Sequence, residues 1–358
     1  MRPTLCEINL NAVANNVRTL ISHVAPTPLC AVVKANGYGH GAVEVAQAAI
    51  DAGVSWLAVA LVEEGVELRQ AGIAAPILVL SEHHETSIAD LVENNLVATV
   101  YSEHGIDRLA EAATSEMEVH LGVDSGMRRV GAQPEDVEAR VAQINGHANL
   151  RLGAVWTHCP VADEPNNPFT TDQLARFDAA LVDGVANHVG NSAVAIQRPD
   201  RGGSMVRCGI AIYGIDPDDA LAGQIELEPA MTIRSAVSFV KQIEAGEAVG
   251  YGHRWTASEP TTIATVPIGY ADGIRRDLGL RGGEALIGGR RFPIVGVVTM
   301  DQLMVDVGDQ DVAIDDEVII IGQQGNEQIL AADVARLLDT ISYEVICAVS
   351  ERVPRTYV

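Results

Sequence analysis

Short, wholly apolar runs alternate with helix-like segments over the first two-thirds of the chain. The apolar runs lie at 29–34, 55–60, 76–80, 96–100, 117–123 and 152–157, with weaker ones near 193–196 and 205–213. Segments of helical period separate several of them, at 42–52, 63–71 and 86–93. Strands that are apolar throughout indicate a sheet covered on both faces. About eight βα units in roughly 215 residues predict an N-terminal (β/α)8 barrel of the TIM type.

A doubly wound open sheet is the competing interpretation, because periodicity does not reveal whether a sheet closes. No Gly-x-Gly-x-x-Gly follows the first strand of the alternating region. The dinucleotide-binding version of the open sheet is therefore disfavoured.

The pattern changes after about residue 222. Runs at 231–240, 261–267, 292–298 and 317–321 are rich in β-forming residues and separated by glycine turns, and only 330–338 looks helical. The opening segment 4–10 is also strand-like and can pair with this region. We therefore predict a barrel domain at 9–222 and a β-rich domain formed by 1–8 and 223–358.

Composition narrows the function classes. The chain has 358 residues, a formal net charge of -24 and a pI near 4.6, which argues against nucleic-acid or anionic-membrane partners. Its first residues do not resemble a signal peptide, and no apolar run reaches the roughly 18 residues that span a membrane. The five cysteines are scattered without a Cys-x-x-Cys pair. A reduced, cytoplasmic protein without a structural zinc is the simplest expectation.

Lys34 is the first candidate for chemistry. It ends the apolar run 29–34 and is one of two lysines, against 22 arginines. Arginine stays protonated in proteins, whereas a desolvated lysine can lose its proton and form a Schiff base. A lysine kept in so lysine-poor a chain is therefore a candidate covalent residue. An ordinary lysine at a strand end, with its charge in solvent, is the alternative.

Further candidates follow later strands, where barrel enzymes place their chemistry. Arg129 follows the run 117–123, His158 follows 152–157, and Arg207 lies in the last barrel unit. Small residues around Ser192 and Gly209 would let backbone N–H groups approach an anion. A Schiff-base lysine with a phosphate site points to pyridoxal phosphate. Each signal also has an ordinary structural explanation: a satisfied histidine, a surface ion pair or a glycine turn.

The motifs together closely resemble those of bacterial alanine racemases, in the same order along the whole chain. The matching segments are 31–41 (AVVKANGYGHG), 124–131 (DSGMRRVG), 157–158, 191–193, 205–210 with 212–214, 249–252 (VGYG), 267–273 (PIGYADG), 299–302 (TMDQ) and 352–355. A collinear set of this kind is far more specific than any one of its members.

The resemblance implies an isomerase that uses pyridoxal 5'-phosphate and interconverts L- and D-alanine. D-alanine is a component of peptidoglycan precursors, so the resemblance also implies a role in D-alanine biosynthesis. It also implies a head-to-tail homodimer whose two sites borrow residues from the partner. Lys34 would bind the cofactor covalently and act as one acid/base. Tyr251, supplied by the other subunit, would act on the opposite face of Cα. Two facing bases explain racemisation, since one base on one face tends to retain configuration.

The resemblance further assigns binding roles. Arg207 would face the pyridine nitrogen, and the cofactor site as a whole would comprise Lys34, Tyr38, His158, Asn191, Ser192, Arg207, Gly209, Ile210 and Tyr343. The substrate would meet Arg129, Tyr270, Met300 and Asp301, with Tyr270 at the entrance.

Some positions depart from the family pattern. Gly122 stands where the family often has a carbamylated lysine that orients the arginine matched by Arg129. A chloride, a water or another side chain can substitute there. Arg128, Cys208 and Thr299 stand where Gly, Pro and Cys are common, which leaves substrate preference open.

Four functions remain open from the sequence. The first is an alanine racemase, or a racemase of serine or broader amino-acid range. The second is a fold-related amino-acid decarboxylase, which would share the barrel and Lys34. The third is a non-catalytic cofactor-binding protein, which would resemble the barrel alone. A Schiff-base aldolase without cofactor is the most distant.

Overall fold

The computed structural model describes residues 2–358, which form two compact units. The barrel unit comprises Asn11–Gly37 and Gly41–Glu228. The short segment between them, Tyr38–His40, belongs to the other unit. The β unit comprises that segment, residues 2–10 and Pro229–Val358.

The barrel unit contains an eight-stranded, all-parallel sheet. The chain opens with β1 (Leu5–Ile8) of the β unit, and the barrel strands are β2 (Leu29–Val32), β3 (Trp56–Val59), β4 (Ile77–Val79), β5 (Val97–Val100), β6 (Met117–Gly122), β7 (Leu150–Trp156), β8 (Ala186–His188) and β9 (Val206–Cys208). Their order is β8-β7-β6-β5-β4-β3-β2-β9. At the seam, the Arg207 N–H donates to the Gly190 carbonyl just beyond β8, at 2.7 Å. The sheet is therefore nearly closed, which confirms the predicted (β/α)8 barrel.

The first helix lies between β1 and β2, and the further helices of this unit lie between successive barrel strands. The helices are α1 (Leu10–Val24), α2 (Lys34–Tyr38), α3 (Ala42–Asp51), α4 (Val62–Gln70), α5 (Ile88–Glu93), α6 (Glu103–Ala112), α7 (Val137–Gly146), α8 (Phe169–Asp178) and α9 (Ser192–Gln197). Helix α1 shows why they pack: its buried positions recur every three or four residues, at Ala12, Val13, Val17, Leu20 and Val24. This spacing forms one apolar stripe on a helix.

Two weak strand predictions need correction. The strand expected near 193–196 is wrong, because these residues lie in α9. The Asn191 side chain accepts the Val194 N–H at 3.0 Å and so caps the start of that helix. The true strand, β8, is earlier, short and polar. The strand expected at 205–213 extends only over β9, and a 3-10 turn follows at Ile210–Tyr213.

The β unit confirms the predicted β-rich domain. Its further elements are β10 (Met231–Ala236), β11 (Phe239–Ile243), β12 (Ala248–Val249), β13 (Trp255–Thr256), β14 (Thr261–Val266), β15 (Glu284–Ile287), β16 (Arg290–Val295), β17 (Leu303–Gly308), β18 (Glu317–Gln324), β19 (Glu327–Ile329), α10 (Ala331–Leu338), α11 (Ser342–Cys347) and β20 (Arg355–Tyr357). Strand β1 pairs antiparallel with β10 and parallel with β20, so the strand-like opening segment does pair with this region. Helix α11 was not predicted, since Tyr, Val and Ile fill it.

Three further findings concern the described residues. None of their helices is long and apolar enough to cross a membrane. They hold no group of three or more His, Cys, Asp or Glu side chains suited to a metal ion. None of the five cysteines forms a disulfide bond, and Cys347 is the exposed one among them.

Candidate active site

The backbone after Lys34 is left-handed. Ala35, Asn36, Gly37 and Tyr38 have φ values of 52°, 51°, 59° and 52°. A left-handed turn costs an L-residue about 1–2 kcal/mol, so consecutive non-glycine residues rarely adopt it. Strain of this kind persists where the surroundings fix it, which is commonly at a functional site.

Two polar side chains fix this turn. A carboxylate oxygen of Glu64 accepts the Ala35 N–H at 2.6 Å, and the other accepts the Leu61 N–H at 3.0 Å. The Asn36 side chain accepts the Ala42 N–H at 2.9 Å, where α3 begins. The turn is therefore tied to the loop after β3 and to the next helix. Lys34 is held at the carboxyl end of β2 as a result.

Three cations surround His158, which follows β7. Burial, followed by the charges of Arg207, Arg129 and Lys34 in that order, lowers the pKa of His158 to about 3. His158 is therefore neutral at neutral pH. The barrel brings together four predicted residues that come from the ends of four different strands.

Arg207 lies in the barrel interior, on β9. Its guanidinium nitrogens donate to His188 Nδ1 at 2.5 Å, to the Thr157 carbonyl at 2.8 Å and to the carbonyls of His188 and Val189 at 3.1 and 3.2 Å. It also lies over the Trp156 ring, 4.7 Å from the centroid. Burial lowers its pKa to about 10, so it stays a cation at neutral pH. All four of these hydrogen bonds use the two terminal nitrogens of the guanidinium, and none of them uses Nε.

Two helical starts meet near Ser192. Asn191 caps α9, and its amide nitrogen donates to the Cys159 carbonyl at 3.1 Å. The buried Ser192 hydroxyl accepts the Gly209 N–H at 3.0 Å, and the 3-10 turn begins at the next residue, Ile210. Backbone N–H groups at such starts favour an anion. The predicted cofactor-site residues Asn191, Ser192, Gly209 and Ile210 thus lie together in the barrel unit.

Tyr38 and Tyr343 lie together in the β unit. Their ring centroids are 6.1 Å apart. Next to Tyr38, a Cβ at Gly39 would lie 2.5 Å from the Ile346 carbonyl oxygen. Arg355 Nε donates to the Gly39 carbonyl at 3.1 Å. Only glycine permits this approach, which fixes the backbone beside Tyr38 against the turn of α11 that follows Tyr343.

The β unit also groups the predicted substrate residues Tyr270, Met300 and Asp301. The Tyr270 N–H donates to the Thr299 carbonyl at 2.9 Å, and the next N–H donates to the Met300 carbonyl at 3.0 Å. Arg352 donates to the Asp301 carboxylate at 2.7 Å. Tyr270 and Met300 are 42% and 51% exposed within the single chain.

Tyr251 stands apart from this group along the chain, at the start of a 3-10 turn (Tyr251–His253). It is 69% exposed, the most of any large apolar residue in the described chain. Tyrosine is one of the residue types enriched in protein–protein interfaces.

The sequence matches two family descriptions that together span nearly the whole chain. Residues 8–217 match "Alanine racemase, N-terminal domain", and residues 230–357 match "Alanine racemase, C-terminal domain". The chain belongs to the alanine racemase family. This match confirms the resemblance seen in the motifs. The chain is therefore an enzyme of the racemase class.

Individual relatives agree with this family. The chain is 47% identical to an alanine racemase of Symbiobacterium thermophilum, over 100% of this chain and 97% of that one, and 38% identical to one of Halothermothrix orenii, over 99% and 97%. The crystal structure of alanine racemase from E. faecalis superposes with a TM-score of 0.95 at 38% identity, covering 100% of this chain and 98% of that one. A histidine racemase from Leuconostoc mesenteroides subsp. sake shares the fold at 28% identity, with a TM-score of 0.91 and coverage of 100% and 98%.

Sequence reasoning missed residues of this racemase that contact the predicted site. His188 accepts from Arg207, and the Trp156 ring stacks on His188 at a centroid distance of 5.7 Å. His188 ends β8, whose Ala-Asn-His sequence has no apolar pattern to reveal a strand. The one available signal was Arg207 itself, because a buried arginine requires acceptors.

The site of Gly122 holds unpartnered polar groups. A Cβ there would lie 3.4–3.6 Å from side-chain atoms of Thr99, Trp156 and Tyr101. Within the described chain, Trp156 Nε1 and Thr99 Oγ1 are buried without a hydrogen-bond partner. A cavity of about 20 Å³ is lined by Gly122, Trp156 and Arg129, which is room for one water-sized occupant.

Proposed function

We propose that this racemase interconverts L- and D-alanine with pyridoxal phosphate, acting as a homodimer in the cytoplasm. The observation that carries the proposal is the convergence of Lys34, Arg129, His158 and Arg207 at the carboxyl ends of the barrel strands. This is the face where barrel enzymes place their active sites. Family membership and the relatives' names support alanine as the substrate.

The donor set suits pyridoxal phosphate. Lys34 offers the amine that binds its aldehyde, and the N–H groups near Ser192 and Gly209 suit its phosphate. Arg207 has Nε left to donate to the ring nitrogen. His158, Tyr38 and Tyr343 would complete the site with their rings. When bound, the cofactor supplies an electron sink that stabilises negative charge at Cα.

Arg207 limits what that sink can do. A buried guanidinium donates a hydrogen bond to the ring nitrogen but does not readily give up its proton. With the cofactor bound, Arg207 would thus limit how far negative charge at Cα could spread into the ring. We therefore expect Arg207 to favour return of the proton to Cα over transfer to the cofactor, which would give transamination.

Two bases would move the proton. Lys34 Nζ takes or returns it on one face of Cα, and the hydroxyl of Tyr251 from the partner subunit acts on the other. The exposure of Tyr251 supports a role across an interface. Arg129 would bind the substrate carboxylate, with Met300 and Asp301 beside it and Tyr270 at the entrance.

We further propose that a small anion such as chloride binds beside Gly122. Arg129 takes part in no hydrogen bond or ion pair among the described residues, and Trp156 Nε1, which lacks a hydrogen-bond partner there, would lie 3.6 Å from a Cβ at Gly122. An anion there would accept from Trp156 and hold the guanidinium of Arg129, the task of the carbamate in other family members.

Replacing chloride with gluconate at equal ionic strength should raise the KM for alanine about tenfold or more, the effect of losing one hydrogen bond to a charged group. Initial rates across a chloride titration measure this. Trp156→Phe should lose most of the chloride response, whereas Trp255→Phe should keep it. A KM that is independent of chloride in the unmodified enzyme contradicts the anion proposal.

Racemisation of L-alanine in deuterium oxide tests the proposed function. Circular dichroism should decay to zero, and NMR should show deuterium at Cα in both enantiomers. If alanine does not react, the same assay with serine and histidine tests other racemase activities. Release of carbon dioxide would instead identify a decarboxylase. A cofactor-bound protein that converts none of these amino acids would fit a non-catalytic binder.

A further inference from the structure

A row of hydrogen-bonded side chains runs through the barrel from Arg207 to the opposite end of the sheet. Arg207 bonds His188 Nδ1 at 2.5 Å, and His188 Nε2 lies 3.0 Å from His120 Nδ1. His120 Nε2 lies 3.1 Å from a carboxylate oxygen of Glu118, and Arg151 bonds the other carboxylate oxygen. Glu118 and Arg151 are each the second residue of their strands, β6 and β7. The row thus joins the catalytic end of the barrel to its other end.

The chemistry of the two ends fixes the direction of every hydrogen bond. A guanidinium can only donate, so His188 Nδ1 must accept from Arg207 and its proton must lie on Nε2. His188 Nε2 then donates to His120 Nδ1, and His120 Nε2 carries the proton that it donates to Glu118. An ionised carboxylate can only accept, which agrees with this direction. One tautomer of each histidine satisfies the whole row.

The surroundings keep both ends in these states. The hydrogen bond from His120 is the largest cause that lowers the pKa of Glu118. Burial, followed by the charge of Arg207, puts the pKa of His188 well below its usual value. The His188 ring is packed against both Trp156 and His120. His188 is therefore a neutral acceptor for Arg207.

Gly153 makes room for the end of the row. A Cβ at this position would lie 2.4 Å from a carboxylate oxygen of Glu118 and 2.7 Å from its Cγ. The β6–β7 register shifts at the same place, where Val119 pairs with Leu152 but His120 pairs with Ala154. Gly153 is thus the extra residue of a bulge, and the absence of a side chain there lets Glu118 lie against β7 below His120.

We propose that Glu118 is a positioning residue for Arg207, acting through His120 and His188 and seated by Gly153. The role rests on the proposed function in one respect, that Arg207 faces the ring nitrogen of pyridoxal phosphate. Without an acceptor at Glu118, His120 can carry its proton on Nδ1 and donate toward His188. His188 must then hold its own proton on Nδ1, where it opposes the N–H of Arg207. The guanidinium loses an acceptor and shifts.

Three variants of the full-length protein test this. Glu118→Leu removes the acceptor, Glu118→Gln keeps an oxygen that can accept from His120, and Gly153→Ala displaces the carboxylate without altering any polar group. Gly146→Ala is the matched control, since a Cβ there meets nothing within 4 Å. Far-UV circular dichroism and the urea midpoint of each variant report whether it folds.

The first readout is the cofactor itself. Glu118→Leu and Gly153→Ala should weaken pyridoxal phosphate binding about tenfold, as for one lost hydrogen bond to a charged group, and shift its visible absorption maximum. Glu118→Gln and Gly146→Ala should stay close to the unmodified protein. If folded Glu118→Leu and Gly153→Ala match the control in both affinity and absorption, Glu118 does not position Arg207.

The second readout does not depend on activity. Nitrogen-15 NMR of histidine-labelled protein distinguishes protonated from unprotonated ring nitrogens, with signals assigned through His188→Asn and His120→Gln. His188 should be protonated at Nε2 only, and Glu118→Leu should change this. A His188 that is protonated at Nδ1 in the unmodified protein overturns the proposal. Should the protein neither bind the cofactor nor racemise alanine, the proposed function fails, yet this readout still tests the row.

Discussion

Lys34→Ala is expected to abolish both covalent binding of pyridoxal phosphate and racemisation. The substitution removes the amine that would bind the aldehyde and, with it, the base on one face of Cα. Loss of a residue with both roles should reduce kcat by about four orders of magnitude or more, since general acid–base catalysis alone contributes up to that amount. Visible absorbance of the dialysed protein and the rate of alanine racemisation measure the two effects.

The lysine content makes this test unusually clear. The only other lysine is Lys241, which lies in β11 of the β unit, so Lys241→Ala is a matched control that should keep both colour and activity. Borohydride reduction of the unmodified enzyme, followed by peptide mass mapping, should place the cofactor mass on the peptide that contains residue 34. A label on Lys241, or a Lys34→Ala protein that still binds cofactor covalently, would refute the assignment.

The geometry explains why an exchange for arginine should fail as well. Lys34 stands at the end of β2, where Glu64 and Asn36 hold the left-handed turn that follows. The neighbours Arg129 and Arg207 already supply permanent positive charge near His158. What the site lacks without Lys34 is a nitrogen that can lose its proton, and arginine cannot provide one.

The sequence predicted those features that depend on local pattern. The barrel followed from the spacing of apolar runs, and Lys34 stood out because lysine is scarce and because it ends such a run. Strand β8 was not predicted, because its three residues, Ala-Asn-His, show no apolar alternation. The run Ala-Val-Ala-Ile at 193–196 has the composition of a strand, but it forms part of helix α9, which the Asn191 side chain caps. Short elements depend on their tertiary partners, which one sequence does not display.

The row from Arg207 to Glu118 could not be predicted from the sequence for a related reason. Its hydrogen bonds join residues 19 and 68 positions apart, and they depend on the register between neighbouring strands. The bulge at Gly153 alters that register by one residue. A histidine within an apolar strand suggests a buried polar contact, but only the fold identifies its partner.

Tyr251→Phe is expected to stop racemisation while leaving the cofactor bound, because the phenol hydroxyl is lost and Lys34 is unchanged. A fall in kcat of about three orders of magnitude is the scale for removing one acid–base group. In deuterium oxide, Lys34 should still exchange the Cα proton of the one enantiomer that presents it to that face, with retention of configuration. The other enantiomer should not exchange. Tyr357→Phe, a change at another part-exposed tyrosine of the β unit, should racemise normally.

Mixed dimers decide whether Tyr251 acts in the site of its partner. In a dimer of one Lys34→Ala chain and one Tyr251→Phe chain, a site shared between subunits leaves one barrel with an intact Lys34 that faces an intact Tyr251. Equal mixing with free exchange makes half of the dimers mixed, each with one of two sites restored, so activity should recover to about a quarter of the unmodified level. Were each Tyr251 to serve its own chain, no site in the mixture would be complete. Failure to recover activity in demonstrated mixed dimers would therefore contradict a site shared across the interface.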